Sequence, residues 1–257
     1  MAAESVTAQA GVYVYGIFPS DIELAGEQSG VGDPPGLLRL ICSGDLAALV
    51  SEVDLASPLG APEDLRAHQE ILDRSAAAVP VLPMRFGAVL ASDDAVASEL
   101  LEPHREEFAA ALGELEDRAE YVVKGRYDQD AILAEVLADD PEAERLRGEI
   151  RGADPAITRD ARIALGERLS QGIAARREAD TRALGDRMNG LCAASLVRDP
   201  THDLDAVHVA FLIDVDQAGQ LDEVVADLAA QWGGRVNLGV LGPMAAYDFV
   251  GTADPGG

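Results

Sequence analysis

Apolar and polar positions alternate along this chain in short runs that predict strands, and recur at helical spacing between those runs. Residues 12–18 are β-branched or aromatic and predict a first strand. Residues 37–41 and 46–53 predict two more strands, joined by a Ser-Gly-Asp turn. Residues 19–36 hold glycine, proline and acids, which together predict a surface loop.

Two helices are predicted next, each from a start signal followed by spaced apolar residues. Pro62 suits the first position of a helix, and two acids follow it at the positive end of the helix dipole. The apolar face of this helix is predicted to comprise Leu65, Leu72 and Ala76. A second helix is predicted to start with Ser-Asp-Asp at 92–94, and Pro103 is expected to kink or divide it.

A polar stretch at 114–118 separates these elements from a second series. Residues 119–127 predict a strand, and residues 129–152 predict short helices broken by proline and glycine. A long helical pattern then runs from about residue 157 to residue 197. Residues 207–215 alternate as a strand, and residues 221–232 fit one face of a helix that Gly233 and Gly234 end.

The end of the chain predicts a closing hairpin. Residues 236–241 read as a strand, Gly242-Pro243 as a turn, and Tyr-Asp-Phe-Val at 247–250 as the returning strand.

The predicted fold class is α+β with two domains. We expect an N-terminal domain at 1–117, whose residues 1–10 are disordered, and a C-terminal domain at 118–257 with a long helical insertion. The order of elements in the second domain is that of a ferredoxin-like split βαβ arrangement, and the first domain mixes strands and helices compatibly.

Charge changes the picture of possible partners. The net charge is −26, and such a field repels phosphate backbones, so we expect no nucleic-acid binding. Residues 139–187 hold 11 acids and 10 arginines, so their net charge is −1. This stretch is either a solvated helical face with i,i+4 ion pairs or a docking surface for a partner.

Cellular location follows from cysteine use and the absence of apolar segments. Cys42 and Cys192 lie in no CxxC pair, which predicts buried free thiols in a reducing cytoplasm. No signal peptide is visible, and no apolar run reaches the ~18 residues of a membrane span. We expect a cytoplasmic protein without a membrane span.

The sequence shows no pattern of known catalytic chemistry. Its four histidines form no HxxH, HxxxH or HExxH spacing, and its glycines form no nucleotide-binding loop. The acids at 93–94 and 139–140 are explained by helix starts rather than by general acid–base work. We therefore expect no catalytic, cofactor-binding or metal-binding residues, and no cofactor.

Val-Leu-Pro-Met-Arg-Phe-Gly at 81–87 is the one segment with residue types suited to recognition. It places Arg85 and Phe86 between a short predicted strand and a glycine. In one interpretation Arg85 pairs with an acid and Phe86 fills the core. In the other, both anchor a partner, because arginine and aromatic residues are enriched in interface hot spots.

Taken together, four segments resemble the gas vesicle protein F/L (GvpF/GvpL) family, whose members are accessory proteins of gas vesicle formation. In chain order they are Tyr-Val-Tyr-Gly-Ile at 13–17, Asp-Leu-Ala-Ala-Leu-Val-Ser at 45–51 with His68-Gln69, the 81–87 segment, and Gly242-Pro243 with residues 247–250. The resemblance spans about 11–251. It departs from the family pattern at Tyr121, where tryptophan is frequent, and at Met-Ala-Ala 244–246, where proline or aromatic residues are usual.

The resemblance implies a two-domain protein in which both domains are α+β and related to ferredoxin-like folds. It implies a non-enzymatic role in assembling the gas vesicle, through contact with the hydrophobic shell protein or with other vesicle accessory proteins, and hence a location at the gas vesicle. The motif positions that become candidate partner-binding residues are Arg85, Phe86, His68, Tyr121, Pro243, Tyr247 and Phe249.

Two alternative functions stay open at this point. The chain could be a minor structural component of the vesicle wall, or a small-molecule enzyme or sensor built on tandem ferredoxin-like domains, since that fold hosts many functions. A deep pocket with convergent polar groups would favour the enzyme or sensor. A shallow surface with exposed apolar patches would favour the assembly factor.

Overall fold

The computed structural model describes residues 10–24, 26–57 and 59–250, and these divide into two compact units. The first unit contains the described residues up to Glu120, together with 214–216 and 242–250; the second contains 121–213 and 217–241. Most of the segment predicted to be disordered, residues 1–9, lies outside the described residues, and Ala10 already begins the first strand.

The first unit combines an antiparallel sheet with helices that follow it in sequence. Its strands are β1 (Ala10–Pro19), β2 (Arg39–Ser43), β3 (Leu46–Asp54), β4 (Leu82–Pro83) and β5 (Val89–Leu90). Its helices are α1 (Pro62–Ala76), α2 (Asp93–Ala95), which continues as a π-helical turn (Val96–Leu101), and α3 (Arg105–Glu114). As predicted, Ser92 caps the second helix, and the helical pattern is divided around Pro103.

The sheet of the first unit has the order β2-β3-β1-β4, and β5 also pairs with β1. All of these pairings are antiparallel. β4 and β5 are the two halves of one interrupted strand, because Pro83 pairs with Gly16 and Val89 pairs with Tyr13. The five residues 84–88 therefore lie opposite only two residues of β1 and bulge out of the sheet.

Helix α1 starts where the sequence predicts but buries a different face. Asp64 accepts hydrogen bonds from the backbone N–H groups of Gly32, Gly60 and Ala61, and these bonds, led by that from Gly32, hold the pKa of its carboxyl below its usual value. The buried residues of α1 are His68, Ile71, Leu72 and Ala76. Leu65 is 49% exposed, so its assignment to the apolar face was wrong.

The second unit is a four-stranded sheet with a long helix. Its elements in chain order are β6 (Arg118–Tyr127), α4 (Gln129–Asp139), α5 (Pro141–Ile150), α6 (Arg159–Met188), β7 (Ala194–Val197), β8 (Asp205–Asp214), a 3-10 turn (Val215–Gln217), α7 (Ala218–Gln231) and β9 (Val236–Met244). The sheet order is β7-β8-β6-β9. The described helices include none that is both long and apolar enough to cross a membrane.

Both sheets follow the same order when the strands are numbered within each unit: second, third, first, fourth. In the second unit, helices connect the first strand to the second and the third to the fourth, which is the β-α-β-β-α-β succession of a split βαβ arrangement. In the first unit, the described residues between β1 and β2, 20–24 and 26–38, contain no helix at the place of the first of these helices. The predicted α+β class is confirmed.

Three predictions about the second half differ from the structure. The long helix ends at Met188, and residues 194–197 form β7, because the chain leaves the helix at Asn189 and pairs with β8 instead. Among the described residues after Met244, up to residue 250, no strand returns: residues 247–249 form a turn, so the predicted closing hairpin was wrong. Residues 242–250 group with the first unit, whereas the predicted division assigned them to the second domain.

The cysteines are free, as predicted, but they are not both buried. Cys42 is exposed and Cys192 is half-buried. Cys42 lies on β2, which is an edge strand of its sheet, and this position leaves its side chain in contact with solvent.

A buried ion pair fastens the long helix of the second unit to its sheet. Asp180 on α6 accepts two hydrogen bonds from Arg235, at 2.8 and 2.7 Å, and one from the Tyr127 hydroxyl at 2.6 Å. The guanidinium of Arg235 also lies over the rings of Tyr127 and Trp232, 5.5 and 5.6 Å from their centroids. Burial, and then the bond to Asp180, raises the pKa of Tyr127, so its hydroxyl stays a donor.

Replacing Asp180 should therefore destabilise the second unit selectively. We expect Asp180→Ala to lower the free energy of unfolding by about 3–5 kcal/mol, because it leaves the Arg235 guanidinium, only 18% exposed, without its main partner. Trp232 is the only tryptophan of the chain, so its fluorescence during urea denaturation reports on this unit. Glu178→Ala is the matched control: its exposed pair with Arg182 should contribute less than about 0.5 kcal/mol. Equal losses in the two variants would contradict this assignment.

Candidate functional site

The four segments that carry the family resemblance meet in the first unit. Each contributes at least one residue to a group of rings, buried at its centre, that we call the histidine–tyrosine cluster: Tyr13, Tyr15, His68, Phe86 and Tyr247. These residues come from β1, α1, the bulge between β4 and β5, and the C-terminal turn. Segments distant in sequence therefore form one structural feature.

Tyr13 and Tyr15 project from the same face of β1, because side chains two apart in a strand share a face. The pairing of β1 with β3 shifts register at Tyr15, and the ring centroids of the two tyrosines lie 4.8 Å apart. Both rings are fully buried. The Tyr15 hydroxyl accepts a bond from the N–H of Val31 at 2.7 Å and shares another with the hydroxyl of Ser51 at 2.9 Å.

His68 lies at the centre of the cluster, and its hydrogen bonds determine its tautomer. Nε2 is 3.2 Å from the carbonyl oxygen of Met84, which can only accept, so Nε2 carries the proton. Nδ1 then accepts from the Tyr13 hydroxyl at 2.9 Å, and that hydroxyl in turn accepts from the N–H of Gly87 at 3.2 Å. The Tyr247 hydroxyl oxygen lies 3.0 Å from Nε2. The N–H of Nε2 is therefore shared between this oxygen and the carbonyl oxygen of Met84.

Burial keeps these groups neutral. His68 is 4% exposed, and desolvation lowers its pKa from 6.5 to about 4, although the bond to the Met84 carbonyl opposes the shift. Desolvation raises the pKa of both Tyr13 and Tyr247. The ring of His68 is therefore an uncharged connector that is bonded on both nitrogens, as is typical of a structural histidine.

The bulge between β4 and β5 brings Phe86 and Arg85 to the edge of this cluster. The half-buried ring of Phe86 meets Tyr13 and His68 edge-on, with centroids 5.9 and 5.6 Å apart. Gly87 follows at φ +91°, a backbone region that side chains disfavour, and this allows the chain to turn back toward β5. The side chain of Arg85 is exposed.

The C-terminal segment completes the cluster. The N–H of Ala245 donates to Asp73 on α1 at 3.1 Å, and the N–H of Asp248 donates to Glu120 at 3.1 Å. Burial raises the pKa of Asp73, and the Ala245 bond opposes this shift. Two backbone anchors thus hold the turn that carries Tyr247.

The sequence-predicted candidates divide by unit and by burial. Arg85 is exposed, and Phe86, Pro243, Tyr247 and Phe249 are half-buried in the first unit. His68 belongs to the same unit but is buried, so its side chain supports the surface from within. Tyr121 lies in the second unit and is 4% exposed, and burial followed by the charge of Asp222 raises its pKa.

Sequence reasoning did not identify Tyr13, Tyr15, Ser51 or Asp73 as part of this site. The first two had a signal, since tyrosines two apart on a predicted strand must share a face. Ser51 belongs to the 45–51 family segment, which marks it without assigning it a role. Asp73 had no signal, because aspartate is common at the surface and only the fold brings it to the cluster. In the described ranges no group of three or more His, Cys, Asp and Glu side chains is arranged to hold a metal ion.

Comparison with known proteins identifies relatives over nearly the whole chain. The family described as gas vesicle synthesis protein GvpL/GvpF matches residues 11–251. Gas vesicle protein F of Streptomyces sp. (strain CB03234) is 35% identical over 246 residues, covering 93% of this chain and 98% of the relative. Gas vesicle protein L of the same strain is 30% identical over 263 residues, covering 94% and 93%.

Two solved structures share the fold. The crystal structure of GvpF from Anabaena sp. PCC7120 gives a TM-score of 0.79 at 23% identity, and that of GvpF from Microcystis aeruginosa gives 0.75 at 21% identity. Each comparison covers 93% of this chain and 98% of the other.

The lowered pKa of His68 predicts a pH dependence of stability. Between pH 6.5 and 4 the unfolded chain binds a proton at this residue and the folded chain does not, so stability falls as pH falls through that window. From pH 7.5 to 5, above the pI of 4.3, we expect His68 to account for a loss of about 2 kcal/mol. Urea denaturation followed by circular dichroism measures it.

His68→Gln separates this effect from the titration of other groups. The variant should be less stable at pH 7.5, because it loses ring packing, but its stability should fall less between pH 7.5 and 5. His104→Gln replaces a half-buried histidine of the same unit and should keep the wild-type slope, since His68 is intact. An unchanged slope in His68→Gln would show that another group titrates.

Proposed function

The chain belongs to the gas vesicle synthesis protein GvpL/GvpF family, and from that premise we propose that it is a non-enzymatic accessory protein that binds the hydrophobic shell protein, other vesicle accessory proteins, or both. Family membership assigns it to gas vesicle formation. We propose that it acts in the cytoplasm and at the growing gas vesicle.

The observation that carries the proposal is the convergence of the four family segments on the histidine–tyrosine cluster. Polar atoms of these segments are used inside the protein: the ring of His68 is bonded on both nitrogens, and the hydroxyl of Tyr13 bonds to His68 and Gly87. A general base must reach a proton on its substrate. The ring of His68 is buried, and both of its nitrogens are already hydrogen-bonded within the protein. The arrangement supports a role in shaping a surface rather than in catalysis.

The surface so shaped contains the proposed contact residues. Arg85 is exposed beside the half-buried ring of Phe86, and Tyr247 and Phe249 are half-buried on the adjoining C-terminal turn. Arginine next to aromatic rings is the composition of interface hot spots, because both supply large contact areas and directional bonds. Pro243 belongs to the same proposal, while His68 and Tyr121 support the folds of their units from inside.

The charge of the chain suits a partner with a strongly apolar surface. A net charge of −26 keeps the protein soluble and opposes aggregation of any complex it forms. Long-range charge attraction does not contribute to binding an uncharged partner. The affinity must therefore come from apolar contacts and hydrogen bonds. We therefore expect the complex with the shell protein to survive added salt.

Co-expression with the shell protein of the same genome tests the proposal. We expect soluble shell protein to co-purify with the wild-type chain, and Arg85→Ala to reduce the amount recovered by about tenfold, the effect of losing one hot-spot side chain. Each accessory protein encoded nearby is tested in the same way. Recovery is measured per mole of chain at low and at high salt.

Arg74→Ala provides the matched control, because Arg74 is also an exposed arginine of the first unit. It should leave recovery unchanged. If neither the shell protein nor any accessory protein co-purifies with the wild-type chain, the proposed function is wrong. If the two arginine variants lose recovery equally, the loss reflects net charge, and Arg85 is not a specific contact.

A further inference from the structure

Strand β7 forms an open edge of the sheet in the second unit. It pairs with β8 on one side, and no other strand in the described part of the chain pairs with it. Its four residues, Ala-Ser-Leu-Val, include no charge and no proline, and the first charge along this edge is Arg198, directly after the strand. Leu196 is 44% exposed and Val197 is 63% exposed.

The register of β7 shows which backbone groups face outward. The N–H of Arg198 donates to the carbonyl of His208 at 2.8 Å, so residues 198 and 208 form a hydrogen-bonded pair. Bonding alternates along an antiparallel pair, so Leu196 also bonds toward β8, opposite Ala210. The N–H and C=O groups of Ser195 and Val197 therefore point to the open edge.

A groove of about 580 Å³ runs beside this edge, between β7 and helix α6. Its α6 wall includes the small residues Ala174, Thr181 and Gly185, and Val197 and Val207 form part of the opposite wall. A strand added to β7 would place every second side chain on the side of Val197, and so into this groove.

We propose that the open edge of β7 and the adjoining groove bind an extended, uncharged, apolar segment of the hydrophobic shell protein by strand addition. The inference rests on the proposed function and names the binding surface and the type of segment bound. Backbone bonds to Ser195 and Val197 give affinity, and the groove selects small or medium apolar side chains at alternate positions.

The charge of the groove lining indicates which kind of segment the groove binds. The groove is lined by three arginines and four acids, so its net charge is −1 with histidine neutral, on a chain that carries −26. This is a nearly neutral surface on a strongly acidic protein, and it suits an uncharged segment. A second copy of the chain is disfavoured, because two molecules of charge −26 repel each other.

Val197→Lys tests the proposal in the full chain. Its side chain is mostly exposed, so the fold should tolerate the change, but strand addition would bury the new charge in the groove. We expect co-purification of the shell protein to fall by about tenfold or more, whereas Val197→Thr, which keeps the β-branched shape, should bind like the wild type. Hydrogen exchange of the wild-type complex should show protection of the Ser195 and Val197 amides.

Leu241→Lys is the matched control. Leu241 is 55% exposed on β9, the opposite edge of the same sheet, so the variant makes the same charge change without touching β7. It should retain binding. Loss of binding in Leu241→Lys alone, or amide protection on β9 instead of β7, would overturn the proposal.

The outcomes separate this inference from the proposed function. A wild-type chain that binds no vesicle protein overturns both. Wild-type binding that Val197→Lys leaves intact, with Arg85→Ala still defective, overturns only the strand-addition proposal. If the wild-type chain is a dimer and the Val197→Lys variant is a monomer, a second copy of the chain occupies the edge. That result also overturns the strand-addition proposal.

Discussion

The neutral ring of His68 holds the first unit together, because both of its nitrogens bond to elements that are far apart in sequence. Through Nδ1 it bonds to Tyr13 on β1, and through Nε2 to the bulge at Met84 and to Tyr247 on the C-terminal turn. In the uncharged ring Nδ1 accepts and Nε2 donates, so each nitrogen has a matched partner. Burial of the ring lowers the pKa of His68 and so keeps it uncharged at neutral pH.

In the second unit, an ion pair attaches the long helix α6 to the sheet. A helix of 30 residues has to be attached to a sheet although much of its surface is polar. Asp180 and Arg235 supply a buried, bidentate ion pair, and Tyr127 donates to the same carboxylate. Tight packing assists it, since a Cβ at Gly172 on α6 would overlap Val136 on α4. Such a pair is costly to break and so maintains one position of the helix along the sheet.

These two interactions bear directly on function. The histidine–tyrosine cluster positions the bulge that presents Arg85, and the ion pair positions α6 as one wall of the groove beside β7. Each proposed contact surface is thus presented by a rigid interior, which lowers the entropy cost of binding. The acidic remainder of the chain favours solubility, which would oppose aggregation of a complex with the proposed apolar partner.

Local pattern determined most of the elements: the strand at 12–18, the proline start of α1, the division near Pro103 and the β8–α7 pair are all visible in the sequence, because periodicity and capping are local properties. The family resemblance identified the four segments that matter. Only the tertiary structure decided that they meet, that residues 242–250 pack in the first unit, and that residues 194–197 leave the helical pattern to pair with β8. Apolar residues spaced for a helix also suit a short strand, and the choice depends on a partner strand that no local window contains.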